Sequence, residues 1–393
     1  MTQFSRIEEF CATGTGGTPS RDRVDRYFDG GTIPWVKSGE LRESVINKTE
    51  EHVTEAALDE TNLKLIPAGA LLLAMYGATV GRLGILGIPA TTNQAVCHII
   101  PDPTRADMRY LFHSLKTRVP ILLTRRVGGA QPNISQGIVR SLEIPLPPLS
   151  EQRRIAEVLD RADLLRAKRR VALAQLDFLT QSLFLDLFGD PVTNPKGWKR
   201  IQLGEMVERI TKGESPKWQG FEYRDDGALF VTSENVRLGA IDVSAPKFVP
   251  LEFNKKLIRS ELRPGDLLVN LVGASIGRSC IFPGYDRPAN INQAVAVVTT
   301  NPSRLENTFL SGLLTSDRGQ WLLLNNRVEG ARANISLTDL RELSLPVPPI
   351  TLQRKFSGRV KAVEKLKTAH LASLADMDAL FSSLQHRAFR GEL

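Results

Sequence analysis

Two textures alternate along this chain. Residues 1–150 and 191–349 carry short apolar runs punctuated by Gly, Pro and Thr, the pattern of strands joined by tight turns. ALLLAMY (70–76), ILGIPA (85–90) and AVCHII (95–100) predict strands in the first stretch, and DLLVNLV (266–272), CIFPG (280–284) and AVAVVTT (294–300) in the second. Each set is followed by a stretch with helical patterning, 108–123 and 305–324. Residues 151–190 and 350–393 read differently. After Pro148 no Gly or Pro interrupts the chain until Gly189, and Ser150 can cap a helix start. Apolar residues then recur at three-four spacing: Ile155, Val158/Leu159, Ala162, Leu165, Leu173, Leu176, Leu179, Leu183 and Leu187. The second tract keeps the same rhythm with Phe356, Val360, Val363, Leu366, Leu374, Met377, Leu380, Leu384 and Ala388. Such a stripe, sustained over about five heptads, is a coiled-coil seam that neither helix can bury alone. The two helices are therefore expected to pair with each other, most simply antiparallel. Arg169 and His370 are polar at a seam position in both, which suits register setting better than chemistry.

The same blocks occur twice in one order. GALLLAMYGATVGRLGI at Gly69–Ile85 returns as GDLLVNLVGASIGRSCI at Gly265–Ile281, offset 196. NQAV returns at offset 199, and GGAQPNIS (128–135) returns as EGARANIS (329–336) at offset 201. IPLPPLSEQRRI (144–155) returns as LPVPPITLQRKF (345–356), again at 201. A period this long is no solenoid; it is a duplicated domain with its helix. The fold class expected is mixed α/β (α+β). Two similar globular domains with twisted sheets, 1–150 and 191–349, are joined by two long antiparallel coiled-coil helices, 151–190 and 350–393, with internal pseudo-two-fold symmetry. A molecule with two similar surfaces suits a bipartite partner.

Composition narrows the class. Hydrophobic content of 42% and charged content of 24% describe a globular protein with a sizeable core. The opening MTQFSRIEEF lacks a signal-peptide pattern, and no apolar run nears the ~20 residues of a membrane span. Cys11, Cys97 and Cys280 form no CxxC pair, so a reducing, cytoplasmic setting is expected. The net charge of +8 permits a polyanionic partner. Between Met108 and Leu142 stand Arg109, Lys116, Arg118, Arg125, Arg126 and Arg140 with no acid; this is either a DNA-facing stripe or a solvated helix face.

Catalytic signatures are missing. GASIG (273–277) fits the G-x-S-x-G nucleophile elbow, but its repeat reads GATVG, so a glycine-framed turn between strands explains both better. There is no phosphate loop of the GxxxxGK[ST] type, no HExxH and no Cys/His cluster. His98, in an alternating run, reads as a strand residue. No catalytic residue, cofactor site or metal site is expected, and the chain reads as a binding protein.

These features resemble the specificity subunit of type I DNA restriction-modification systems. The likeness is carried by IPLPPLSEQRRIAEVLDRADLLRAKRR after a globular unit, LFLDLFGDPVTNPKGW leading into the next, and LPVPPITLQRKF running to the terminal AFRGEL. The second junction has TLQ where the first has SEQ. The resemblance implies two target recognition domains, each reading half of a bipartite double-stranded DNA sequence. It implies helices that dock two methyltransferase subunits, and motor-nuclease subunits that complete the complex, with no membrane role. Alternatives of other classes are a stand-alone DNA-modifying or hydrolytic enzyme and a scaffold or DNA mimic without sequence preference.

Base reading needs Arg or Lys on guanine or Asn or Gln on adenine, whereas phosphate contacts only position the protein. Polar loop residues beside the repeat blocks are the candidates. In the first unit they are Lys37, Ser38, Arg82, Arg125, Arg126, Gln131 and Asn133. In the second they are Thr232, Ser233, Arg278, Arg327, Arg332 and Asn334. Asn133 and Asn334 occur in both copies and so fit a structural turn or cap. Readers of different half-sites should differ, which favours Gln131/Arg332 and Lys37/Thr232.

Overall fold

A computed structural model describes residues 4–124, 133–325 and 334–393. It divides into two compact units, residues 1–169 with 373–393 and residues 170–372. Each unit therefore contains one globular domain and a segment of both long helices.

In unit 1 a five-stranded sheet has the order β2–β9–β6–β7–β4, from β2 (Cys11–Thr15), β4 (Val45–Ile46), β6 (Leu71–Ala74), β7 (Leu83–Leu86) and β9 (Val96–Pro101). A smaller sheet, β5–β3–β8, is built from β3 (Ile33–Val36), β5 (Glu51–Val53) and β8 (Thr91–Thr92), and β1 (Phe4–Arg6) pairs with β10 (Glu143–Pro145). Helices α1 (Val24–Tyr27), α2 (Glu55–Glu60), α3 (Met108–Thr124) and α4 (Gln136–Arg140) complete the domain before α5 (Leu149–Phe188) begins.

Unit 2 repeats the plan. Its four-stranded sheet runs β12–β18–β15–β16, from β12 (Val207–Lys212), β15 (Leu267–Asn270), β16 (Ser279–Ile281) and β18 (Val295–Thr300). The small sheet is β14–β13–β17, from β13 (Ala228–Val231), β14 (Phe248–Val249) and β17 (Ala289–Ile291), and β11 (Arg200–Gln202) pairs with β19 (Ser344–Pro346). Its helices are α6 (Leu251–Lys256), α7 (Asn307–Thr315), α8 (Asp317–Asn325), α9 (Leu337–Glu342) and α10 (Ile350–Ala388). In both small sheets the middle strand has one antiparallel and one parallel neighbour, so the duplication extends to strand direction.

The uninterrupted apolar runs have a simple cause. In β6, Leu71 and Leu73 face the core under α3, while Leu72 and Ala74 face the small sheet. In β15, Leu267 and Val269 divide from Leu268 in the same way. A strand covered on both faces needs no polar alternation. The stretch 305–324, patterned as one helix, is two. Ser316 ends α7 in extended backbone, and its Oγ accepts from Gly319 N at 3.0 Å to start α8. Glycine is required at 319, because a Cβ there would lie 1.7 Å from the Leu313 carbonyl oxygen.

The junction motif is explained by its glutamine. Gln152 is fully buried. Its Oε1 accepts from Asp107 N (2.8 Å), and its Nε2 donates to Arg105 O (2.9 Å) and Pro147 O (2.8 Å). Gln353 accepts from Glu306 N (2.9 Å) and donates to Pro348 O (2.8 Å) and Arg304 O (3.4 Å). One side chain thus ties each long helix to the loop that precedes the domain's own helix. SEQ can become TLQ because the tie is made by Gln alone.

Within each unit the long helices run antiparallel. In unit 1, Arg154 Nη2 donates to Leu393 O at 2.6 Å and Arg166 Nε to Asp378 at 2.6 Å. In unit 2, Lys367 pairs with Asp177 at 2.7 Å, and Phe188 packs on Phe356 further along. Much of the predicted stripe is inside, with Ile155, Leu159, Phe356, Val363 and Ala388 buried, but Leu165, Leu179, Leu366 and Leu380 are exposed, and Phe184, Phe188 and Phe381, which lie outside that stripe, are buried. Aromatic anchoring against α3 and α7 sets this register. By length and composition α5 is also apolar enough to cross a membrane, contrary to the sequence expectation. A core helix passes the same test, and here Phe184 and Phe188 lie in the unit 2 core while Asp177 is ion-paired.

Candidate nucleic-acid interface

The repeat blocks converge on one edge of each unit, at the end of β6 or β15. In unit 1, Met75 N bonds Ala95 O (2.8 Å), Ile134 N bonds Met75 O (2.7 Å), and Asn93 N bonds Val36 O (3.0 Å). In unit 2 the counterparts are Leu271 N to Ala294 O (2.8 Å), Ile335 N to Leu271 O (2.8 Å) and Asn292 N to Val231 O (3.1 Å). These bonds bring together the NQAV loop, the NIS segment, the glycine-framed turn and the turn after β3 or β13. Four loops held by a rigid sheet are the usual way to present a recognition surface.

The glycine-framed turn is a short 3-10 helix in both units, Gly77–Thr79 and Gly273–Ser275. Both glycines of each turn have positive φ, +79° and +85° at Gly77 and Gly81, +81° and +80° at Gly273 and Gly277, which L side chains rarely adopt. Ser275 Oγ accepts from Asn270 Nδ2 at 3.0 Å, so the serine of GASIG is a turn residue, as the repeat suggested.

Asn133 and Asn334 are exposed. Their neighbours carry the structure: Ile134 and Ile335 are buried, and Ser135 and Ser336 cap α4 and α9. Asn133 itself forms a backbone bridge with Tyr76. Lys37 and Thr232 open equivalent turns, in which Lys37 N bonds Glu40 Oε1 (3.0 Å) and Thr232 N bonds Asn235 Oδ1 (2.8 Å). Lys37 Nζ sits between Glu51 (2.9 Å) and Glu50 (3.0 Å). The hydrogen bond to Glu51, then that to Glu50, holds its pKa above the ordinary lysine value. Thr232 is buried and its Oγ1 bonds Asn235 (3.1 Å). Ser38 and Ser233 are half-buried, and the Ser233 carbonyl accepts from Asn270 Nδ2. Arg82 is exposed and Arg278 half-buried. Arg125, Arg126, Gln131, Arg327 and Arg332 lie outside the described residues.

Of the basic run 108–142, the described members are committed. Arg109 pairs with Asp160, Lys116 with Glu43 and Arg140 with Glu8, and Arg118 donates to Glu143 O. His98 is a buried strand residue whose ring lies against Gly14. Burial holds its pKa below the ordinary value. Among the described residues no group of His, Cys, Asp and Glu is placed to hold a metal. Gln94 and Gln293 of the two NQAV blocks also stand at this edge. Gln94 is exposed with its amide oxygen accepting from Thr18 Oγ1, and Gln293 Oε1 is buried without a partner among the described residues.

A family model described as a type I restriction modification DNA specificity domain matches the chain twice, over residues 2–174 and 195–374. The chain is 24% identical over 374 residues to the type I restriction enzyme MjaVIII specificity subunit of Methanocaldococcus jannaschii, covering 92% of this chain and 85% of that one. It is 26% identical over 342 residues to the EcoBI specificity subunit of Escherichia coli, covering 78% and 70%. A solved chain described under complex assembly and conformational transition of the type I R-M system has the same fold. The TM-score is 0.64 at 20% identity, over 100% of this chain and 98% of that one.

Proposed function

This chain belongs to the type I restriction-modification DNA specificity family, and we propose that it is the non-catalytic, cytoplasmic DNA-reading subunit of such a complex. The observation that carries this reading is the doubling: the same loop-bearing edge is built twice by the same hydrogen bonds. Residues 1–150 and 191–349 each read one half of a bipartite duplex target. Residues 151–190 and 350–393 space the readers and dock two methyltransferase subunits, to which motor-nuclease subunits add. Exposed apolar residues on the helices, Phe178, Leu164 and Leu371 among them, supply surface for such docking. Gln131 and Arg332, which differ between the units, are base-reading candidates by type.

The test is methyl transfer to genomic DNA with S-adenosylmethionine, by the purified chain alone and by the chain reconstituted with the methyltransferase subunit of its own system. Transfer only in the second case is expected, at a two-part sequence. Transfer by the chain alone would refute the non-catalytic assignment. Replacing residues 1–150 by the matching domain of a relative should change one half of that sequence and leave the other.

A further inference from the structure

Arg82 and Arg278 occupy the same place in the two units, and the fold uses their backbones but not their side chains. Each residue's N–H bonds the turn before it, at 3.0 Å to Thr79 O and 3.1 Å to Ser275 O. Each carbonyl accepts from the preceding strand, at 2.9 Å from Ala74 N and 2.8 Å from Asn270 N. The turn is thus superposable bond for bond, which fixes where each guanidinium starts. Neither guanidinium has a hydrogen bond or ion pair among the described residues.

Several other polar residues shared by the two copies do work inside the protein. Gln152 and Gln353 tie helix to domain, and Ser135 and Ser336 cap helices. Nearby positions that face the same edge differ in chemistry, as Lys37 does from Thr232 and Glu40 from Asn235. Two units that read different sequences share one feature of their ligand, the phosphate backbone, which carries no sequence information. A guanidinium without a partner among the described residues, retained at one position in both units, matches the shared part, and its planar fork suits a phosphate.

We propose, on the reading that each unit binds DNA, that Arg82 and Arg278 each hold a backbone phosphate and so set the register of their unit on the duplex, leaving base discrimination to positions that differ between the units. Because neither side chain has a partner among the described residues, replacing them should not disturb folding.

The experiment uses the full subunit assembled with its methyltransferase subunits, as wild type, Arg82→Ala, Arg278→Ala and Arg82→Lys. The probes are a labelled duplex carrying the sequence found by mapping methylation in the host, and a scrambled duplex of equal length. Each alanine variant should lose affinity for both duplexes by a similar factor and lower the salt slope by ~0.9 for the lost phosphate contact. The mapped sequence should be unchanged, the thermal melt should match wild type, and Arg82→Lys should restore most of the slope. An unchanged slope would overturn the assignment, and so would a loss confined to the target duplex with one half-site relaxed, which marks a base reader. A wild-type complex that does not prefer target over scramble would overturn the DNA-reading assignment itself, and is seen before any variant is compared.

Discussion

Unit 1 and unit 2 seat their helices by different chemistry on one architecture. In unit 2, Phe309 of α7 meets Phe184 and Phe188 of α5, which in turn meet Phe356 of α10, with ring centroids 4.8–5.8 Å apart. These rings belong to the same core as the sheet. Gly312 makes room, since a Cβ there would lie 3.1–3.2 Å from the Phe184 and Phe356 rings. In unit 1 the matching positions of α3 are Tyr110 and His113. Tyr110 packs with Ile155, Leu159, Phe381 and Ala388 in a cluster separate from the sheet core. Beside it, Asp160 of α5 accepts from Arg109 Nε (2.9 Å) and His113 Nε2 (2.8 Å). Duplication preserved the plan of the joint and its apolar contact, while unit 1 adds the Arg109–Asp160–His113 set beside it. The two joints should therefore fail under different insults.

The largest effect should come from the aromatic joint. Phe356→Ala empties a fully buried site, and aromatic truncations of this kind cost about 3–5 kcal/mol. Hydrogen exchange should show the loss across the core of unit 2, because ring and sheet share one cluster, with unit 1 protected as before. Loss confined to the helix segment would mean that the joint and the sheet are energetically separate.

The polar joint should break with less cost and with a pH dependence. His113 is buried and its Nδ1 has no partner among the described residues. The neutral ring therefore donates from Nε2 to Asp160, and protonation would bury a second N–H with no acceptor. Burial accordingly lowers the His113 pKa, against the opposing pull of the Asp160 hydrogen bond and charge, with Lys116 lowering it further and Asp163 raising it. A base whose folded pKa is depressed stabilises the fold above its unfolded value, near 6.5, and that stability is lost as pH falls below it. Hydrogen exchange at the α3–α5 contact should accelerate as pH drops from 7 toward 5, after correction for intrinsic exchange. His113→Leu should flatten that dependence. Asp160→Ala, leaving the His113 donor buried and unpaired, should cost about 1–3 kcal/mol at neutral pH. A His113→Leu variant as acid-sensitive as wild type would show that another group controls the joint.

Why one joint was legible in the sequence and the other was not follows from the kind of signal each leaves. Strands read out because β6 and β15 are covered on both faces and must be apolar throughout. The glycine-framed turn read out because positive φ restricts residue type, and both copies form the same 3-10 turn. The helices and their antiparallel pairing read out from three-four spacing. Part of the buried face read out too, in Ile155, Leu159, Phe356, Val363 and Ala388; Phe381 and Phe184 did not, because they take their places from partners far away in sequence, and a stripe of leucines cannot show which of two adjacent rows an aromatic will claim. The candidate interface was legible as a set of loops and not as a set of contacts. Lys37 is held by Glu50 and Glu51, and Thr232 by Asn235, partnerships that turn geometry creates.

The smallest effect concerns a pair that the duplication makes twice with different residues. Arg166 of α5 bonds Asp378 of α10, and adding 201 to each position gives Lys367, with Asp177 carried onto Asp378. The base thus changes helix while the contact is kept. Arg166 also bonds Asp163 at 2.7 Å and lies 4.2 Å above the Phe381 ring, whereas Lys367 has Asp177 and, at 3.6 Å, Glu364. Exposed ion pairs contribute about 0.2–1 kcal/mol, and an arginine over a ring adds roughly 0.5–1 kcal/mol at such sites. Double-mutant cycles with alanine should therefore give a larger coupling for Arg166–Asp378 than for Lys367–Asp177. The Arg166→Lys variant should lower the first toward the second, because an ammonium makes one point contact where the guanidinium fork holds two carboxylates. Equal couplings that both vanish in high salt would mean that the pairs screen each other's charges without fixing the register of the helices.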